Sequence, residues 1–250
     1  ASWWVGSDEV ATLSNGDRVG AYRIIERVGR GGLGEVYLAQ RVDGGFEQRV
    51  ALKVIRGNAT GDLKRSLFDR ERRILAQLQH PLIVRLLDGG VTKDGLPWFT
   101  MGYVDGQPVT TYCDDLCMPL AARLAMFRSI AEAVAAAHRA LVIHCDIKPS
   151  NVMLLEGNRV KLLDFGLVHL PGSNFERLTA TGIVCGTPDY MSPEQCVGSK
   201  LDGRSDIYSL AVVVYEMITG VLPFEGKGQS ELLLKPLGGA RAAPDRDLSE

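Results

Sequence analysis

Val142-Ile143-His144-Cys145-Asp146-Ile147-Lys148-Pro149-Ser150-Asn151-Val152-Met153 sets one acid, one amine and one amide between two apolar, β-prone runs. Polar side chains held at fixed spacing between two strands read as a site-bearing loop. Thirteen residues after Asn151 comes Asp164-Phe165-Gly166, at the end of an apolar strand carrying Val160, Leu162 and Leu163. Glu156-Gly157-Asn158 supplies a hairpin turn between the two runs. Two acids and an amide therefore converge on one strand-loop mouth. This is an oxygen donor set, suited to Mg²⁺ with phosphate rather than to zinc.

Toward the N-terminus, Tyr22 to Val28 begins a strand that runs into Gly29-Arg30-Gly31-Gly32-Leu33-Gly34, and Glu35 to Ala39 resumes β-prone sequence. A dinucleotide-binding fold would place a helix after the last glycine. Here Val36 and Tyr37 continue as strand and Asp43-Gly44-Gly45 turns back, so the glycines sit in a hairpin flap whose backbone suits closure over phosphates. Val50 to Ile55 is the third strand. Alternation puts Ala51, Lys53 and Ile55 on one face, read as its apolar side, where an unpaired amine is costly. A helix expected from about Asp62 to Gln79 has an inward stripe of Leu67, Ile74, Leu75 and Leu78, and Glu71 falls on that stripe. A Lys53–Glu71 pair is expected. Ile83 to Leu87 and Leu96 to Tyr103 read as two more strands, completing a five-stranded antiparallel sheet with one helix, preceded by an extension over residues 1–21.

Beyond Asp105-Gly106 the pattern turns helical, with Leu120, Leu124, Phe127, Ala131 and Val134 at three- and four-residue steps. A segment of about 25 residues after Gly166, rich in Gly, Ser, Thr and Pro, is too long for a plain connector. The helix expected over Asp206 to Thr219 is apolar nearly all round, which predicts burial at the centre of its domain. Asp206 near its start reads as a buried acid bonded to backbone amides.

Composition bounds the partners. At net charge −2 there is no general electrostatic case for nucleic acid or an anionic membrane. The five scattered cysteines lack paired spacing and read as thiols in a reducing compartment. With no membrane segment of about 20 apolar residues, a cytoplasmic location is expected.

The catalytic-loop stretch and Asp164-Phe165-Gly166 resemble the eukaryotic-type protein kinase family, which carries H-R-D-x-K-x-x-N and D-F-G. The separations, 93 residues from Lys53 to Asp146, 5 to Asn151 and 18 to Asp164, agree with it together. The resemblance implies an α+β, bilobal protein-kinase fold, with a first lobe over residues 22–104 and a mostly helical, truncated second lobe over 105–250. It implies ATP and Mg²⁺ as cofactors. Lys53 would hold the α- and β-phosphates with Glu71 orienting it, Asp164 and Asn151 would bind the metal, Asp146 would accept the substrate hydroxyl proton and Lys148 would sit on the γ-phosphate. Gly29, Gly31 and Gly34 would cover the phosphates. Val28, Val36, Ala51 and Met153 match adenine-sandwiching positions, with Met101 as gatekeeper and Gly102-Tyr103-Val104 as hinge. Thr187 before Pro188 resembles serine/threonine kinases, and Gly186 to Glu194 looks closest to the bacterial branch. Partners would be proteins bearing Ser or Thr, with autophosphorylation and a possible homodimer.

The chain departs from the pattern in places. Cys145 stands where the family has the arginine that pairs with a phosphorylated activation loop, so phosphorylation of Thr179, Thr181 or Thr187 is expected not to be the main switch. Gly102, Leu82 and Ser192 replace the usual acid, asparagine and alanine. Only 26 residues follow Phe224, so the family's closing helices are expected to be missing, with poor stability or self-association as the consequence. The alternative readings are a pseudokinase or nucleotide-binding scaffold, and a small-molecule kinase of related fold.

Overall fold

The computed structural model describes residues 13–31, 34–43, 47–55, 78–164 and 187–224. The chain divides into two units: residues 1–66 with 86–103, and residues 67–85 with 104–250.

The described part of the first unit is one antiparallel sheet built from β1 (Arg18–Val19), β2 (Tyr22–Gly31), β3 (Gly34–Arg41), β4 (Arg49–Ile55), β5 (Leu86–Val91) and β6 (Pro97–Gly102). Their order is β1-β2-β3-β4-β6-β5, one strand more than the expected five. The extra strand forms because the chain doubles back through Gly20, at φ +56°, and lays Arg18 and Val19 against Arg23 and Tyr22. A side chain at Gly20 would stand 2.7 Å from the Trp98 indole, so the turn is packed as well as left-handed.

One face of the sheet carries the unit's core: Tyr22, Ile24, Tyr37, Ala39, Val50, Leu52, Val54 and Trp98, with Tyr22 and Trp98 meeting edge to face at 5.9 Å. Lys53, Ala51 and Ile55 alternate onto the opposite face, so the expectation that Lys53 leaves from the strand's packed apolar side is corrected. β4 is apolar on both faces, and alternation alone does not say which one carries the core. Lys53 is nonetheless buried, its ammonium 5.9 Å above the Phe99 ring.

The run Ile83 to Leu87 serves both units rather than forming one strand. Ile83 is buried in the second unit's core, and Val84 donates to the Leu162 carbonyl at 3.0 Å. Pairing with β6 begins only at Leu86. The expected Asp62 to Gln79 helix, Glu71 included, lies outside the described residues apart from its C-terminal end, where Leu78 joins the second unit's core.

In the second unit β7 (Gln107–Pro108) leads to α1 (Val109–Asp115) and α2 (Leu120–Arg139). A 3₁₀ turn over Pro149–Asn151 opens the hairpin of β8 (Val152–Leu155) and β9 (Arg159–Leu162), whose turn has Gly157 and Asn158 at positive φ. Another 3₁₀ turn over Pro188–Tyr190 precedes α3 (Pro193–Cys196) and α4 (Gly203–Thr219). α2 buries Arg123, Met126, Ile130, Ala133, Val134 and Ala137, while Leu124 is exposed. The buried stripe thus lies to one side of the expected one, because this alanine-rich helix offers apolar residues over most of its circumference. α4 is likewise buried on one face and not all round, since Ile207 is exposed.

Arg123 sets the register of α2. Its guanidinium donates to the carbonyls of Met118 at 2.8 Å, Cys113 at 2.9 Å and Met217 at 3.0 Å, and pairs with Asp114 at 2.8 Å. One buried side chain therefore joins α1, the turn after it and the end of α4. Arg123→Ala is expected to lose about 3 kcal/mol or more, since the carbonyls it serves would be buried without that donor. A shift of the urea midpoint at unchanged m-value measures this, and a midpoint within error of wild type would refute it.

Candidate active site

The loop around Asp146 is held from α4. Asp202 caps that helix by accepting from the Arg204 amide, which leaves Asp206, in the first turn, for another purpose. Its carboxylate accepts from the His144 amide at 2.8 Å, the Cys145 amide at 2.9 Å and His138 Nε2 at 2.7 Å, as expected of a buried acid bonded to amides. Cys145, at φ +62°, is fixed on its other side where Gln195 donates to its carbonyl at 2.8 Å. A non-glycine residue in the left-handed region persists where its surroundings over-determine it.

His144 is fully buried. Its Nε2 lies 2.8 Å from the Leu163 carbonyl, which only accepts, and its Nδ1 accepts from the Asp146 amide at 3.3 Å. These partners define a neutral imidazole carrying its proton on Nε2. The ring thereby ties the loop to the end of β9, immediately before Asp164, itself at φ +43°.

On this support the polar residues of the opening stretch come together. Lys148 Nζ sits 2.9 Å from one Asp146 carboxylate oxygen and donates to the Thr187 hydroxyl at 2.7 Å. That hydroxyl points at the other Asp146 oxygen at 3.4 Å. Asn151 donates its side-chain amide hydrogens to the Asp146 carbonyl and carboxylate, at 2.7 and 3.1 Å, and its backbone carbonyl accepts from the Leu163 amide at 2.8 Å. Thr187 at the centre of this group is a residue that motif spacing did not place there.

The segment after Thr187 is anchored to the same supports. Ser192 and Gln195 form a reciprocal capping box at the start of α3, legible in the sequence as Ser192-Pro193-Glu194-Gln195. Ser209 donates to the Tyr190 carbonyl, and Ser205 donates to Glu194. Burial tends to raise the Glu194 carboxyl, but the hydroxyls of Ser205 and Ser192 and a backbone amide hold it below its ordinary value. Tyr190 donates to Glu216 at 2.7 Å. Burial first, then the Glu216 carboxylate, raise the phenol well above its ordinary value. Burial also raises Glu216, against the Tyr190 hydrogen bond and with help from Asp114 and Asp189.

In the first unit, register brings the glycine strands beside the lysine. Gly29 lies opposite Val36, Gly31 opposite Gly34, Val36 opposite Lys53 and Ala51 opposite Met101. Gly34 has φ +154°, and a Cβ there would fall 2.0 Å from the Val54 carbonyl oxygen, so only glycine fits. Glu35, buried, accepts from the Tyr37 hydroxyl and lies near Arg27 and Arg30 at 3.7 and 3.5 Å. Val28 and Tyr103 are exposed and Met101 is buried. Val104 and Met153 belong to the second unit, both half-buried, with Met153 opposite Pro108 and Lys161. Thr179 and Thr181 lie outside the described residues.

A glycine hairpin beside a buried lysine, and an acid-lysine-asparagine loop followed by Asp164, are the parts expected of a phosphotransferase. The protein kinase domain family matches residues 22–240, and the chain belongs to that family. It is 37% identical over 90% of its length to the serine/threonine-protein kinase pkn2 of Myxococcus xanthus, covering 28% of that protein. It is 40% identical over 82% of its length to the serine/threonine-protein kinase PknB of Mycolicibacterium smegmatis, covering 33% of it. With PknF of Mycobacterium tuberculosis it shares 36% identity over 85% of its length and covers 46%. The chain thus spans less than half the length of these bacterial relatives. Membership implies ATP as substrate, a divalent metal and protein substrates. No helix among the described residues is long and apolar enough to cross a membrane.

The buried Glu216 generates a pH dependence. Its carboxyl is raised in the folded chain, so the folded state holds a proton over a pH range where the unfolded chain has lost it. Stability from this group is therefore present below the ordinary carboxylate pKa and falls as pH rises through the raised value. Glu216→Gln keeps an acceptor for Tyr190 without the buried charge. It is expected to flatten the pH dependence of the melting temperature above pH ~4.5, without loss of stability at neutral pH. A variant with the wild-type slope would count against this account.

Proposed function

We propose that the chain transfers the γ-phosphoryl group of Mg-ATP to serine and threonine hydroxyls of proteins, its own included. The single observation that carries this reading is the Thr187 hydroxyl lying between Lys148 Nζ and the Asp146 carboxylate, at 2.7 and 3.4 Å. An alcohol of the substrate's own type fits at the carboxylate that would take its proton, with a cation beside it. The names of the bacterial relatives point the same way.

Residues 22–104 then act as the nucleotide lobe and 105–250 as the substrate lobe. Lys53 neutralises the α- and β-phosphates, with Glu71 as its orienting acid, and Gly29, Gly31 and Gly34 let backbone amides approach the phosphates. Val28, Val36, Ala51, Met101, Tyr103, Val104 and Met153 line the adenine. Asp164 and Asn151 would hold Mg²⁺, and their oxygen donors suit it: Asn151 turns its NH₂ toward Asp146, leaving its amide oxygen directed to the other side. The metal supplies charge neutralisation at the phosphates. Asp146 accepts the hydroxyl proton as the oxygen attacks, and Lys148 compensates the charge on the transferred group.

Intact-mass spectrometry of the chain with a generic Ser- and Thr-containing protein and Mg-ATP tests this. Added phosphoryl masses on serine or threonine are expected. Asp146→Asn should lower kcat by about 10²- to 10⁴-fold, the usual worth of general-base assistance, while nucleotide still raises the melting temperature. A wild-type chain that is stabilised by Mg-ATP but transfers nothing would replace this reading with that of a nucleotide-binding scaffold.

A further inference from the structure

Three arginines on the first unit remain outside the machinery described above. Register places Arg18 opposite Arg23, Arg23 opposite Gln40 and Gln40 opposite Arg49, so the four side chains form one row across β1, β2, β3 and β4. Directly opposed residues share a face and stand about 5 Å apart, so the row is about 15 Å long. Arg18, Arg23 and Arg49 are exposed, and among the described residues none of them forms an ion pair or a side-chain hydrogen bond. Other exposed arginines do find acids, as Arg41 does with Asp43 and Arg204 with Asp202.

Like charges set directly opposite each other destabilise a sheet, and Arg18 with Arg23 is such a pair. Arg18 comes from β1, ahead of residue 22 where the family match begins. In a chain of net charge −2, this is a local concentration of positive charge with an amide donor in its middle.

We infer that Arg18, Arg23, Gln40 and Arg49 bind a polypeptide segment carrying phosphorylated serine or threonine. Guanidinium forks grip phosphate oxygens bidentately, and two opposed arginines converge on one phosphate without competing for it. In an extended segment, residues i and i+2 lie on one face about 7 Å apart. At about 15 Å the row is longer than that spacing, so it has room for two such phosphates. Exposed acids adjoin the row, Asp17 beside Arg18 and Glu47 two residues before Arg49, and these would repel a continuous anionic membrane while leaving room for discrete phosphates. The inference rests on the proposed function only for the origin of such segments.

The test measures fluorescence anisotropy of a synthetic peptide spanning residues 176–184, phosphorylated at Thr179 and Thr181, against the full chain without ATP. Its unphosphorylated twin, inorganic phosphate as competitor and phosphatidylserine vesicles complete the set. Expected are salt-sensitive binding of the phosphopeptide alone and a loss of about tenfold or more in Arg18→Gln/Arg23→Gln. That double variant should melt no lower than wild type, because an opposed like-charge pair is removed, and should still phosphorylate a generic protein in the mass assay. Failure here and failure of the kinase reading are thereby distinguished. Equal binding of the two peptides, undiminished binding by the double variant, or capture by vesicles in place of the phosphopeptide would each overturn the inference.

Discussion

A single buried carboxylate carries the second unit's polar architecture. Asp206 is 1% exposed, and an ionised acid taken out of water at that depth is tolerated only if its oxygens are saturated by donors. Two successive amides, of His144 and Cys145, and the imidazole of His138 provide them. The first turn of α4 adds a favourable dipole. Successive amides reach one carboxylate only if the backbone curls around it, which is the left-handed turn observed at Cys145. The conformation that aims Asp146 is thus a consequence of satisfying Asp206, and α4 is at once core element and template for the loop.

From that anchor the constraints radiate in two directions. Through His144 the loop is bonded to Leu163, so Asp146 and the start of the Asp164 segment are positioned by one imidazole whose tautomer is set by what it touches. Through Gln195 and Thr187 the segment ending in Glu194 is bonded to the same loop. Acid, amide, amine and hydroxyl each make at least two of these contacts, so the group is held as one ordered unit. Such preorganisation is where positioning catalysis gains its rate. Lys148 belongs to the same arrangement, its ammonium lying 2.9 Å from the Asp146 carboxylate.

The grouping of Asp146, Lys148 and Asn151 is legible in the sequence because spacing along one loop is a local property. His144 to Asn151 is one loop between the end of α2 and the start of β8, and Asp206 stands out as an acid in an apolar helix. What stayed hidden was long-range pairing. Thr187 reaches Asp146 from 41 residues away, and Tyr190 reaches Glu216 from 26. Arg123 looked like an ordinary charge on a helix, and only the structure shows four partners converging on it from three segments. The errors in facing, at α2, α4 and β4, share one cause. Where apolar residues surround an element, periodicity no longer selects a side, and tertiary partners choose it. The added strand is not legible in the sequence because Arg18–Val19 is two residues long, below what a period-2 pattern resolves.

The two faces of the first unit's sheet divide the labour between folding and chemistry. The core side chains and the Tyr37–Glu35 network occupy one face, and Lys53 occupies the other, so the glycine strands can be fixed from behind. Arg27 and Arg30, the latter between the flap's first two glycines, are drawn toward Glu35, which also accepts a hydrogen bond from the Tyr37 hydroxyl. Burial and that carboxylate push the phenol up to about 12, so it stays a donor throughout the physiological range. The same oxygen accepts from the Leu13 amide, which ties residues ahead of the family match to the base of the flap. Glycine gives the hairpin its close approach at Gly34, but also the freedom to collapse. A charged latch on the reverse face restricts that freedom without placing any side chain between the backbone amides and the phosphates they are suited to meet.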